Sequence, residues 1–177
     1  MNENLIQFDG SNFFNKIKSL SPKTHLTNYD YKSFAEFLTN GKSYKAIYYV
    51  GEIKKKLGNK KSEQLYSSQQ SLFRNLRRQG IEIKLGYLLL SGNKYHEKGV
   101  DVQIAVDITK GAIKNTYKTC YIISSDTDLL PAIELAKEED KKIIYVGFEK
   151  AVSRALSNNC NSYIILKKSQ IEKFAIH

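Results

Sequence analysis

The sequence predicts a single α/β domain organised on a parallel sheet, and three observations carry that expectation. Short apolar runs of strand length alternate with segments of helical period along the whole chain. Turn and capping residues separate them at short intervals, with no internal repeat, low-complexity tract or linker. The 177 residues, 41% hydrophobic and 11% aromatic, suit one domain that buries an ample core.

Residues 5–8 read as a first strand that ends in Asp9-Gly10-Ser11-Asn12. Gly10 permits a tight turn with close backbone approach, while Ser11 and Asn12 bond local backbone groups. A short helix over 13–20 is closed by Ser21-Pro22, and a second over 29–38 by Asn40-Gly41. Residues 46–51 form a buried strand and 52–61 a basic loop. Residues 62–79 are a strongly amphipathic helix stopped by Gly80. At 100° per residue, Leu65, Leu72, Phe73 and Leu76 share one face and Arg74 and Arg78 the opposite one. Gln69 falls on the apolar side and requires a buried hydrogen-bond partner. A strand over 81–90 ends at Ser91-Gly92-Asn93, and a helix follows within 98–115. Residues 121–123 are a buried strand that stops at Ser124-Ser125, and a helix beginning near Asp126-Thr127-Asp128 runs to Asp140. A strand over 142–148, a helix over 151–156 and a strand over 163–166 complete the order before a short tail.

Composition excludes several classes. No apolar run approaches the roughly 20 residues that span a bilayer. The first four residues lack the pattern of a secretory signal, so the cytoplasm is the expected compartment. Cys120 and Cys160, far apart and beside apolar runs, read as small core residues rather than a disulfide or zinc framework. His25 and His177 have no acidic or cysteine partner at useful spacing, and His96 reads as an exposed loop residue. The charge is informative: +10 overall, with Lys54, Lys55, Lys56, Lys60, Lys61, Arg74, Arg77, Arg78 and Lys84 against only Glu63 and Glu82 between positions 54 and 84. Such a basic field attracts a phosphate backbone with salt-sensitive affinity, although a generally lysine-rich surface has the same composition.

The acids sit in a second pattern. Asp126 and Asp128 follow a strand directly, at the edge where open α/β sheets bind ligands. Two carboxylates about 4 Å apart at an effective dielectric near 20 repel by roughly 4 kcal/mol. A divalent cation or the amide dipoles of the next helix would offset that. The same residues also suit ordinary capping, with Thr127 or Asp128 as the cap and Pro131 in the first turn. Asp9 is a second strand-end acid. Asp101, near a helix start, falls on the wheel between Ile108 on one side and Ala105 and Ala112 on the other. Asp107 lies on the polar face and reads as a surface partner of Lys110. Acids from two strand ends and one helix start can meet at one sheet edge. Their all-oxygen donor set suits Mg²⁺ or Mn²⁺ rather than zinc.

Phe8-Asp9-Gly10-Ser11-Asn12, Glu97-Lys98-Gly99-Val100-Asp101-Val102 and Ser124-Ser125-Asp126-Thr127-Asp128, in this order and spacing, resemble the motifs of NYN domains, the LabA-like branch of the PIN-like ribonucleases. The resemblance runs from about Leu5 to Leu166. It implies a Rossmann-like, PIN-like α/β/α sandwich and metal-dependent hydrolysis of RNA, expected to be single-stranded. It also implies Asp9, Asp101 and Asp126 as metal-holding acids, Asp128 as a fourth catalytic acid and Asn12 as a supporting residue. Asp107 falls where the family often has an acid, and Ser125 stands where it commonly has glycine.

Three functions compete. The first is a metal-dependent ribonuclease in which Lys54, Lys55, Lys56, Lys60, Lys61, Arg74 and Arg78 grip RNA. The second is a non-catalytic RNA-binding or scaffold module whose acids are caps. A phosphatase of the Asp-x-Asp-x-Thr type is disfavoured by Leu130 at the threonine position. The oligomeric state is left open, a homo-oligomer included.

Overall fold

The computed structural model describes residues 4–55, 58–91 and 94–176, with side chains outside 88–97. Lys56, the Gly92-Asn93 turn, His177 and the side chain of His96 lie outside the described residues. The strands in chain order are β1 (Asn4–Asp9), β2 (Tyr44–Gly51), β3 (Glu82–Ser91), β4 (Lys94–Lys98), β5 (Thr119–Ile123), β6 (Lys142–Phe148) and β7 (Ser162–Leu166). They form one sheet in the order β4-β3-β2-β1-β5-β6-β7. Six run parallel, and β4 alone pairs antiparallel, at the edge beside β3. The expected parallel sheet is present. The loop expected before the Asp101 helix is instead strand β4, whose Lys-Tyr-His-Glu-Lys sequence has no apolar alternation. Its pairing comes from backbone hydrogen bonds to β3, which side-chain periodicity does not register.

The helices are α1 (Gly10–Leu20), α2 (Tyr31–Thr39), α3 (Lys60–Arg78), α4 (Val100–Ile113), α5 (Leu130–Glu138), α6 (Arg154–Asn159) and α7 (Lys168–Glu172). Alternation along the strands divides the core in two. Ile6 and Phe8 of β1 face a cluster with Phe13 and Ile17 of α1, Phe34 of α2 and Leu76 of α3. Leu5, of opposite parity, joins Ile104 and Ile108 of α4, Ile133 of α5 and Leu156 of α6 on the other face. Connections stepping from β1 toward β3 therefore carry helices on one face, and those from β5 toward β7 on the other, as right-handed crossovers require. Because both faces are covered, β1 is buried along its whole length, its polar Asn4, Gln7 and Asp9 included.

Two boundaries differ from the sequence reading. Asn59 caps α3, its side chain accepting from the Ser62 N–H at 3.0 Å, so Lys60 and Lys61 belong to the helix rather than to the loop. The expected tail is helix α7, which returns to the core: Ile171 is fully buried, and Tyr29 bridges to Ala175. On α3, Gln69 is buried and satisfied, accepting from the Ile53 N–H at 2.9 Å and donating to the Gly51 carbonyl at 2.8 Å. Leu65, expected in the core, is 49% exposed, because the first two turns of α3 stand over an open cleft.

Candidate functional site

Chain direction across the sheet reverses between β1 and β5, which are adjacent although their connections leave to opposite sides. In open α/β sheets such a reversal forms a crevice at the carboxyl ends of the two strands, the usual ligand position. Asp9 is the last residue of β1 and is buried there. Phe8 pairs with Ile123, which brings the end of β1 alongside Ser124. The Ser124 hydroxyl donates to Asp9 Oδ2 at 2.7 Å, and its oxygen accepts the Asp126 N–H at 3.1 Å. Ser124 is thus a buried clamp joining the two strand-end acids. The sequence reading did not single it out, because its role depends on the β1–β5 register.

Each acid is also anchored to a helix start. Asp9 caps α1, its Oδ1 accepting the Asn12 N–H at 3.0 Å. Asp126, half-buried, caps the 3-10 turn Thr127–Leu129 by accepting the Asp128 N–H at 2.9 Å. The cap is therefore Asp126, not Thr127 or Asp128, since only Asp126 has the extended backbone that precedes the turn. Asp128 is exposed on that turn, and Pro131 lies in the first turn of α5, as expected. Ser125 shares a 3.4 Å hydrogen bond with the Tyr145 hydroxyl, so serine occupies this turn with a local partner.

Asp101 is in the first turn of α4, after Gly99 at φ +83°. It lies on the wheel stripe of buried Ile108 and Ala112, yet it is exposed. The buried face at the helix start is instead that of Val100 and Ile104. Partial desolvation raises the Asp101 pKa, followed by the charges of Asp9, Asp126 and Asp128. Four carboxylates from three distant segments thus share one electrostatic neighbourhood. Among the described residues no lysine or arginine pairs with Asp101, Asp126 or Asp128. Helix-start amides offset part of the repulsion.

An all-oxygen donor set with several carboxylates suits a hard divalent cation. The arrangement is open, however: among the described residues, no group of three or more His, Cys, Asp or Glu side chains is placed to hold a metal ion.

Asp107 departs from its sequence reading. It is half-buried and turned toward the sheet, accepting from Lys84 Nζ at 2.6 Å and from the Tyr49 hydroxyl at 2.7 Å rather than pairing with Lys110. Six residues from Asp101, it faces β2 and β3, where an unpaired buried lysine would be costly. The Tyr49 hydroxyl accepts from Gln7 Nε2 at 2.9 Å, and burial followed by the Asp107 carboxylate raises its pKa. Asp107 therefore anchors a polar network on the face where Asp9 projects. It also removes Lys84 from the basic surface.

The remaining basic residues are on the surface. Lys54, Lys55, Lys60 and Lys61 are exposed between the end of β2 and the first turn of α3. Arg74 and Arg78 are exposed along α3, held to Ser71 at 2.8 Å and Asn75 at 3.2 Å. Cys120 and Cys160 are buried, separate thiols, as expected. Among the described residues no helix is long and apolar enough to cross a membrane.

Comparison with known proteins agrees with this fold. An uncharacterized protein of Methanocaldococcus jannaschii, MJ0482, is 44% identical over 59 residues, which is 33% of this chain and 25% of that protein. The crystal structure of a Vibrio parahaemolyticus protein of unknown function, VPA0982, shares the fold. Its TM-score is 0.68 at 19% identity, covering 99% of this chain and 96% of the other. Residues 5–167 match the NYN domain, nearly the whole chain, and the protein therefore belongs to the NYN family of PIN-like ribonuclease domains.

Proposed function

We propose that this protein is a metal-dependent ribonuclease that hydrolyses RNA phosphodiester bonds at the crevice between β1 and β5. The carrying observation is the convergence of Asp9, Asp101, Asp126 and Asp128, from three distant segments, on one sheet edge, where Asp101, Asp126 and Asp128 have no lysine or arginine partner among the described residues. Asp9, Asp101 and Asp126 hold Mg²⁺ or Mn²⁺, and Asp128 is the fourth acid. Because the carboxylates are not closed on one ion, binding requires side-chain rotation, for which Asp101 and Asp128 have solvent space. A bound divalent cation supplies a water of lowered pKa and stabilises the leaving oxygen. Ser124 and the Asn12 amide fix the Asp9 carboxylate, and Ser125 and Asp107 support the walls of the site. The exposed Lys54, Lys55, Lys60 and Lys61, with Arg74 and Arg78, hold the phosphate backbone of a single strand.

One observation favours a second reading. Asp9 and Asp126 already serve as caps, and among the described residues no three acids are placed to hold a metal ion. A non-catalytic RNA-binding module needs nothing more.

Incubation of the purified protein with labelled single-stranded RNA in Mn²⁺, Mg²⁺ or chelator separates the two. The ribonuclease reading expects cleavage that chelator abolishes and that Asp126→Asn reduces at least about 100-fold with RNA binding retained. Binding without cleavage in either metal establishes the module instead, and full activity in chelator sinks the metal role.

A further inference from the structure

We infer that the cleft between α1 and α3 is a receptor for one unstacked nucleobase of single-stranded RNA, with the ring of Phe14 as its stacking platform. This rests on the RNA reading above and names the part of the substrate that the acidic crevice does not contact. The cleft has a volume of about 580 Å³ and begins at Gly10 and Ser11, the residues directly after Asp9. Its floor is Tyr48 and Val50 at the carboxyl end of β2, and its walls are Ile17 and Leu72. That size is within the usual range for small-ligand pockets, and the mainly apolar lining suits a flat ring better than a charged group.

Phe14 has no part in the core. The buried stripe of α1 is Phe13, Ile17 and Leu20, whereas Phe14 is 49% exposed at the mouth of the cleft. It is five residues from Asp9, about 7 Å along the helix axis. Lys18 lies one turn further on, its Nζ 5.7 Å from the Phe14 ring centroid. A cation near an exposed ring leaves a face for stacking and a charge for the adjoining phosphate.

Charge complementarity selects the occupant. Ile53 and Leu65 line the cleft, and the exposed Lys54, Lys55, Lys60 and Lys61 lie between them in sequence. An apolar slot with Lys18 in its lining and exposed lysines on the neighbouring segment fits an apolar face attached to a polyanion, which is a nucleotide within a strand. A base in a duplex is stacked and paired and cannot enter, so the cleft selects single strands.

The test is fluorescence anisotropy of a labelled single-stranded RNA in chelator, so that turnover plays no part, with wild type, Phe14→Ala and Phe14→Tyr. Loss of one base–aromatic stack weakens binding by Phe14→Ala roughly 5- to 100-fold, while Phe14→Tyr stays within about twofold. The salt dependence is unchanged, because no phosphate contact is lost. An RNA made abasic at the bound position binds wild type and Phe14→Ala alike. Equal affinity of Phe14→Ala and wild type for intact RNA overturns the inference while the RNA reading stands. Duplex RNA bound as tightly as the single strand also overturns it, as does a wild-type dimer in sedimentation that Phe14→Ala converts to monomer, which makes a second copy the occupant. A wild type that neither binds nor cuts RNA ends both readings.

Discussion

Asp101 shows how a single carboxylate reports its surroundings. Its pKa is raised because partial desolvation and the charges of Asp9, Asp126 and Asp128 favour the protonated form. The folded state therefore holds this proton more tightly than the unfolded chain does. Stability falls as pH rises from the ordinary value of 3.8 through the raised one, and the penalty is fully present at neutral pH. Asp101→Asn is expected to raise the Tm at pH 7 by about 1–3 °C, a small gain because the exposed carboxylate is screened, and to give no gain near pH 3. Thermal melts at the two pH values check the sign. The candidate acids Asp9 and Asp126 were legible from sequence, since Asp9 closes an apolar run and Asp126 follows one after two serines. Ser124 was not, because nothing in its local sequence separates a clamp from a turn serine. Asp107 was misread because its partners, Lys84 and Tyr49, come from strands 23 and 58 residues away.

Among the elements, the segment from the end of β2 into α3 carries the exposed lysines of the proposed RNA surface. Helical periodicity identified α3, and Gln69 met the expected buried partners. The helix starts earlier than its apolar pattern because the Asn59 cap is independent of hydrophobic spacing. Lys60 and Lys61 are consequently held in a helical first turn, where the dipole disfavours them. Replacing Lys54, Lys55, Lys60 and Lys61 together by alanine is expected to reduce the slope of log K against log salt by up to about 3, at roughly 0.7 per single-strand phosphate contact. Anisotropy titrations across a salt series measure this, and an unchanged slope would remove these lysines from the interface. Strand β4 was illegible for a different reason. An edge strand of Lys, Tyr, His and Glu is specified by its neighbour's open hydrogen bonds, not by its own pattern.

On the scale of the whole molecule, the candidate site lies where strand order reverses: the chain leaves β1 toward β2, β3 and β4 on one side of the sheet and resumes at β5 on the other. The resulting crevice is negative, whereas the chain carries +10 overall. A divalent ion that binds only the folded protein stabilises it by mass action, about 2.7 kcal/mol at a hundredfold excess over Kd. Mn²⁺ is therefore expected to raise the wild-type Tm by roughly 5–10 °C and the Asp126→Asn Tm by much less. Differential scanning calorimetry with and without metal decides this, and equal shifts would place the bound ion elsewhere. By itself the sequence determined the α/β class, most strands and helices, the family motifs and the concentration of positive charge, because each is written in local periodicity or composition. Only the tertiary structure decided which acids are neighbours, which lysine is neutralised, that Ser124 joins Asp9 to Asp126, and that a cleft opens beside Phe14. Those depend on strand order and register, which bring together residues that short-range pattern cannot relate.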